Sequence, residues 1–175
     1  MTRKYLMTTR FSNATFAENQ EYLKNNANGK MKCIYCSPQK ISKHVPEDAL
    51  ILVLEMNNDA NRIVGIGIVR NHPVFGKYPV YSNGNYNRFA FKGQYRIDRT
   101  ELTEYEEKVF QALDILCFTG SRHSKRGQGL RMFPLDFVNK CKKVIDFVEF
   151  ISQMFKNRFS ESSETASRSH TPSHP

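Results

Sequence analysis

Arg122, Lys125, Arg126 and Arg131 place four positive charges within ten residues, with no acidic residue among them. Gly120, Gly127 and Gly129 free the same stretch to turn and to present backbone N–H groups to an anion. Ser121 and Ser124 add hydroxyl donors, and His123 adds a ring that donates or stacks. The segment leads toward a helix expected to start near Pro134, and a helix N-terminus favours negative charge. These residue types together make a phosphate-contacting loop; the alternative is an ordinary solvated basic loop. The glycine and lysine spacing of a nucleotide-binding P-loop is absent.

Residues 75–99 are the companion to that loop. Phe75, Tyr78, Tyr81, Tyr86, Phe89, Phe91 and Tyr95 interleave with Lys77, Arg88, Lys92, Arg96 and Arg99. Single-stranded or flipped bases stack on such rings while cations hold the phosphates, at roughly 1–3 kcal/mol per stacked base. Phe89 and Phe91 share one face of a strand and are expected in the core. Tyr81, Tyr86 and Tyr95 are the candidate stackers.

Metal and hydrolytic chemistry have less to build on. Cys33 and Cys36 have the spacing of half a zinc site, with His44 further on. Completing the ligand set would need Cys117, Cys141 or His123 from far along the chain. Both of those cysteines fall on apolar helical stripes, so core thiols and no metal are expected. A metal-dependent nuclease needs clustered carboxylates, and only Glu55, Asp59 and Asp98 lie near the expected strands. Glu55 interrupts an apolar run. Either it faces a cleft shared with His72, or it pairs with Arg62 or Arg70 across a hairpin. Catalysis is therefore not the expected role; Glu55, His72 and His123 are the residues an enzyme would use, and no cofactor is expected.

The elements that must position these groups follow from hydrophobic pattern. Residues 50–56 are almost wholly apolar, as a strand covered on both faces must be. Residues 57–61, Asn-Asn-Asp-Ala-Asn, tolerate positive φ and close a hairpin onto residues 62–70. Strict alternation faces Val64, Ile66 and Ile68 one way, and Ile63, Gly65, Gly67 and Val69 the other. Gly65 and Gly67 then leave bare backbone that another backbone or a flat ligand approaches, so both join the candidate nucleic-acid-binding set. A strand is expected over residues 4–9, and a helix over 15–26 with Thr15 and Glu18 at capping-box spacing. A short strand follows over 32–37, then, after the first hairpin, a long loop over 71–86. A second hairpin, 88–91 with 94–98, is expected to turn at Lys92 and Gly93.

Thr103 and Glu106 have capping-box spacing before a helix over 103–118. A long final helix from Pro134 carries Leu135, Val138, Cys141, Val144, Ile145, Val148, Ile151, Met154 and Phe155 as one stripe. Residues 159–175, rich in Ser and Thr, are expected as a disordered tail behind a single domain over residues 1–158.

A chain of 175 residues suits one domain. Its net charge of +9 creates a field that attracts polyanions, most often nucleic acid. No run approaches the roughly 18 apolar residues of a membrane helix, and the first ten residues lack a signal-peptide core. An intracellular protein, cytoplasmic or nuclear, with reduced cysteines is expected.

Residues 46–54, Pro-Glu-Asp-Ala-Leu-Ile-Leu-Val-Leu, a polar turn, and residues 62–69, Arg-Ile-Val-Gly-Ile-Gly-Ile-Val, resemble the PUA-like superfamily with its EVE, YTH and ASCH branches. The resemblance covers residues 46–70, with weaker β-rich support to Asp98. It implies an α+β fold with a small mixed β-barrel flanked by helices, and binding of RNA or of modified bases in DNA or RNA. Modified-base readers of that superfamily commonly use a cage containing Trp. This chain has none, so a cage here is built from Tyr and Phe. The basic loop and the final helix have no counterpart in the resemblance. The chain also resembles small proteins of large DNA viruses.

The expected function is a nucleic-acid-binding module, a reader of RNA or of modified bases. Its alternative is a structural or assembly protein with a basic surface, joined into a homo-oligomer through the final helix.

Overall fold

The computed structural model describes residues 3–26 and 28–160. Residues 161–175, most of the expected tail, lie outside them. In chain order the elements are β1 (Lys4–Phe11), α1 (Asn13–Asn26), β2 (Cys33–Ser37), β3 (Leu50–Asn57), β4 (Arg62–Arg70), β5 (Phe89–Gly93), β6 (Tyr95–Asp98), α2 (Glu104–Phe118), β7 (Arg131–Met132), α3 (Leu135–Cys141) and α4 (Phe147–Phe159). The fold is mixed α+β. A five-stranded sheet runs in the order β6-β4-β3-β1-β7, and β2 and β5 form a separate two-stranded ribbon. No closed barrel forms among the described residues, and no helix there is long and apolar enough to cross a membrane.

The hairpin of β3 and β4 forms as its sequence requires. Asn57 Oδ1 accepts the backbone N–H groups of Asp59 and Ala60 at 3.0 and 3.1 Å, and Asn61 takes a φ of 50°. β1 lies parallel to β3 on its other side, so β3 is the central strand. Leu52, Leu54 and Met56 face one side and pack with Phe110 and Leu113 of α2 and with Ile151 and Phe155 of α4. Ile51 and Val53 face the other side, against Ile34, Tyr35 and Phe91 of the ribbon. Both faces are covered, which is why residues 50–56 carry no polar alternation. Each fully buried Leu, Ile or Phe contributes about 1.5–3 kcal/mol.

Strict alternation in β4 fails at a bulge. Glu55 pairs with Gly65 but Met56 pairs with Ile63, leaving Val64 extra. Ile63 thereby joins Ile66 in the core against α2. The bulge is held by Asp114, whose Oδ1 accepts the Ile63 N–H at 2.8 Å. Buried Arg99 also holds it, its Nη1 donating to the Ile63 carbonyl at 2.8 Å.

Four other expectations change. β5 and β6 are not a hairpin: β5 pairs with β2 and β6 with β4, so the chain passes from ribbon to sheet at residues 93–95. Gly93 makes the passage possible, because a Cβ there would lie 2.1 Å from the Ile68 carbonyl oxygen. α1 begins at Asn13, since Ser12 and Thr15 exchange reciprocal backbone-to-hydroxyl bonds at 2.9 and 3.1 Å and set the start earlier. The long C-terminal helix is two helices. The N–H groups of Val144 and Ile145 return to the Cys141 carbonyl to end α3, and Asp146 Oδ1 caps α4 by accepting the Glu149 N–H at 3.1 Å. Finally, the stripe is split: Ile151, Met154 and Phe155 are buried in this chain's own core, while Leu135 and Val144 are exposed. α2 starts where Thr103 and Glu106 complete their capping box.

Candidate functional site

Gly65 and Gly67 do meet a close approach, and it comes from this chain. A Cβ on Gly65 would lie 2.5 Å from Arg96 Nη2, and one on Gly67 would lie 2.1 Å from the Tyr35 hydroxyl. Both groups converge on Glu55, which is 2% exposed. Tyr35 donates to Glu55 Oε1 at 2.7 Å, while Arg96 Nε and Nη2 donate to its two oxygens at 2.9 and 2.6 Å. Arg96 Nη1 reaches Asp98 at 3.0 Å. Burial pushes the Tyr35 phenol well above its ordinary range, so it stays a neutral donor. Burial works against the Arg96 charge, but the bonds and charge of Glu55 outweigh it and hold the guanidinium firmly protonated.

Both oxygens of Glu55 thus accept hydrogen bonds from within the chain. Glu55 is therefore an architectural group. The partners expected for it lie elsewhere: Arg62 is 3.5 Å from Glu107, and Arg70 Nη1 donates to the Asp48 carbonyl. His72 stands 3.7 Å from Asp48 instead of beside Glu55.

The basic loop and two of the candidate tyrosines meet at a different place. A cavity of about 250 Å³ is lined by Arg10 at the end of β1, Cys36 at the end of β2, Asn58 in the hairpin turn, Tyr81, Tyr86 and residues 127–129. Tyr81 and Tyr86 stand edge to face, with centroids 6.4 Å apart. Tyr81 is fixed. Asn19 Nδ2 donates to its hydroxyl at 3.1 Å, and the Asn87 amide brackets its backbone N–H and C=O at 3.0 and 2.8 Å. Burial raises the Tyr81 phenol far above its ordinary value and the Cys36 thiol to about 12, so this wall is neutral.

The loop itself is anchored from beneath. Ser124 N–H donates to the Cys117 carbonyl at 2.7 Å, and Arg10 Nε donates to the Ser124 carbonyl at 2.6 Å. Asn58 Nδ2 donates to the Lys125 carbonyl at 2.9 Å, and Lys125 Nζ to Asn61 Oδ1 at 2.8 Å. His123 Nδ1 accepts the Lys125 N–H at 3.3 Å. Gly129, at a φ of 66°, lies so near β2 that a Cβ would sit 2.1 Å from Ser37 Oγ.

Arg10 and Asn58 thus each spend one arm on the loop. One further polar atom of each, Arg10 Nη1 and Asn58 Oδ1, is buried without a hydrogen-bond partner. An unmet buried donor or acceptor costs about 1–3 kcal/mol. Burial, and then the nearby Arg131 charge, lower the Arg10 pKa to about 10, which leaves it protonated at neutral pH. In the same basic stretch, Arg122, Arg126 and Arg131 are exposed and have no ion-pair partner among the described residues.

Of the candidate residues, the structure places Tyr81 and Tyr86 on the cavity with residues 127–129, while Ser121, Arg122, His123, Ser124, Lys125, Arg126 and Arg131 belong to the same basic stretch without lining it. It separates Tyr95, which is 45% exposed and packs its ring 4.9 Å from that of Phe159. It also excludes Gly65 and Gly67, which are covered by Arg96 and Tyr35. Of the expected core pair, Phe91 is buried and Phe89 is half-buried. Arg10, Asn58 and Cys36 are additions. Arg10 carried the one legible signal, a charge inside an otherwise apolar and Thr-rich strand. Cys33 points its thiol toward the Ile68 and Tyr95 carbonyls, and no three His, Cys, Asp or Glu groups gather to hold a metal among the described residues. Comparison with protein-family models, with curated proteins and with solved structures returns no match.

Proposed function

We propose that this protein is a nucleic-acid-binding module that seats one base in the cavity beneath the basic loop. The observation that carries the reading is the cavity walled by the edge-to-face rings of Tyr81 and Tyr86 and lined by Arg10 and Asn58, each of which keeps one buried polar atom, Nη1 and Oδ1, without a partner. One is a donor and the other an acceptor. A base edge offers both complements at once, whereas a phosphate offers acceptors only and would leave Asn58 Oδ1 facing like polarity. The volume, about 250 Å³, is below the roughly 300–1,000 Å³ of drug-sized sites and suits one small planar group. Arg122, Arg126 and Arg131, exposed in the same basic stretch, then hold the flanking phosphates.

The same reading takes the two sheets as walls of a small PUA-like barrel. Its support is the crossing at residues 93–95, where ribbon strand β5 continues into sheet strand β6.

The test is a salt titration against labelled single-stranded and duplex RNA and DNA. On single strands, each phosphate contact adds about 0.7 to the log–log slope. Replacing Arg122, Arg126 and Arg131 by Gln should lower that slope by up to about 2 while leaving Tm unchanged. Arg10→Lys should weaken binding with little change of slope, because Arg10 faces the base. Absence of binding to any of the four nucleic acids at low salt would overturn the proposal.

A further inference from the structure

A second, larger cavity of about 680 Å³ opens between the loop of residues 40–47 and that of residues 71–76. Lys40, Lys43 and Arg88 line it against one acid, Glu47, and Phe75 and Phe89 supply its rings. Phe75 is 93% exposed, the most exposed aromatic among the described residues whose burial is given. Its backbone is nonetheless held on both sides. Val74 N–H donates to the Ala90 carbonyl at 2.8 Å, and the Tyr78 hydroxyl donates to the Phe75 carbonyl at 3.1 Å. Tyr78 is itself braced by Lys92 Nζ, 4.0 Å from its ring centroid. A ring anchored at its base and bare over its faces gains nothing from folding; it gains from a partner that stacks on it.

Two stretches of chain link this groove to the base cavity. Cys36 lines the cavity and Lys40 the groove four residues on, at most about 14 Å away along an extended chain. On the other stretch, Tyr86 lines the cavity and Arg88 the groove. Between the two stretches, Ser37 and Phe89 are paired directly across the ribbon.

We infer that this groove takes the single-stranded segment continuing from the base held in the cavity, with Phe75 stacking one of its bases and Lys40, Lys43 and Arg88 following its phosphates. The inference rests on the base-binding reading above. Rings interleaved with cations are the arrangement that grips single strands without reading their sequence. An acidic peptide would use the cations but leave Phe75 without a planar partner.

The experiment compares random single-stranded oligonucleotides of about four and about twelve nucleotides. Wild-type protein should bind the longer one at least about tenfold more tightly, and Phe75→Ala should remove most of that gain while keeping the affinity for the shorter one. Lys40→Gln with Lys43→Gln should do the same with a shallower salt dependence. Because Phe75 is bare, the alanine variant should melt at the wild-type temperature. A wild-type affinity independent of length, or a length gain that survives both variants, overturns the inference while leaving the cavity reading in place. Displacement by poly-glutamate of equal charge, undiminished in Phe75→Ala, overturns it in favour of an acidic protein partner. If neither oligonucleotide binds, the cavity reading fails and this inference with it.

Discussion

Replacing Glu55 by Gln separates architecture from chemistry in the buried polar cluster. The amide keeps the shape and one acceptor but removes the charge facing Arg96, whose side chain is only 12% exposed. Removing one partner of a buried pair costs about 3–5 kcal/mol, because the other charge is left behind. Asp98 still accepts from Arg96 at 3.0 Å and is 38% exposed, so the guanidinium is not wholly stranded. A loss near the lower end, about 3 kcal/mol, is therefore expected. In a domain of this length each kcal/mol moves Tm by about 2–4 °C, which gives a fall of about 6–12 °C. Thermal and urea unfolding followed by circular dichroism read the change, with the urea slope unaltered. Below its Tm the variant should bind oligonucleotides like the wild type, since Glu55 does not line the cavity. Adding Arg96→Met should recover part of the loss by removing the stranded charge. A Tm within about 2 °C of wild type would refute the reasoning. So would a fully stable variant that no longer binds, because that would make Glu55 a working group of the site.

Further outcomes follow from the same geometry. Thr103→Ala removes the hydroxyl that accepts the Glu106 N–H at 3.2 Å, and should cost about 1 kcal/mol in urea unfolding. Gly129→Ala forces a side chain to a φ of 66° against Ser37; a loss of at least about 1–2 kcal/mol and weaker oligonucleotide binding should appear together, because the loop must shift. Glu106 is held below its ordinary pKa by hydrogen bonds from Arg158, and Glu107 by hydrogen bonds from Arg99. Their stabilising effect is complete above the ordinary carboxylate value of 4.5 and is lost as pH falls through the lowered folded values. Urea midpoints should therefore drop on acidification from about pH 5 to about pH 3, and less so in Glu106→Gln.

Much of this fold is local in origin and was legible in the chain. An apolar run at 50–56 broken only by Glu55, a polar turn and a return strand specify a covered hairpin, because that arrangement buries the run and satisfies its backbone. The capping box at Thr103 and Glu106 fixes a helix start with side chains three residues apart. The basic loop was likewise visible as composition, and so was the need for something to cover Gly65 and Gly67.

What covers those glycines was not legible, since Tyr35 and Arg96 arrive from strands distant in sequence and the choice depends on sheet order. The same holds for Glu55: its partner is set by a neighbouring strand, β6, and not by the hairpin that carries it. Two hairpin-like runs around Gly93 belong to different sheets, because hydrogen-bond partners on β2 and β4 compete successfully with the turn. The helix break at residues 142–146 leaves the apolar stripe intact in sequence, and only the core decides where it must bend. Arg10, Asn58, Tyr81 and residues 127–129 of the loop are separated by up to 119 positions, yet they line one cavity. Composition determined that this chain carries a basic, glycine-rich loop and a stretch of rings interleaved with cations. Long-range packing decided that Tyr81 and Tyr86, but not Tyr95, share a cavity with residues 127–129 of that loop and with Arg10.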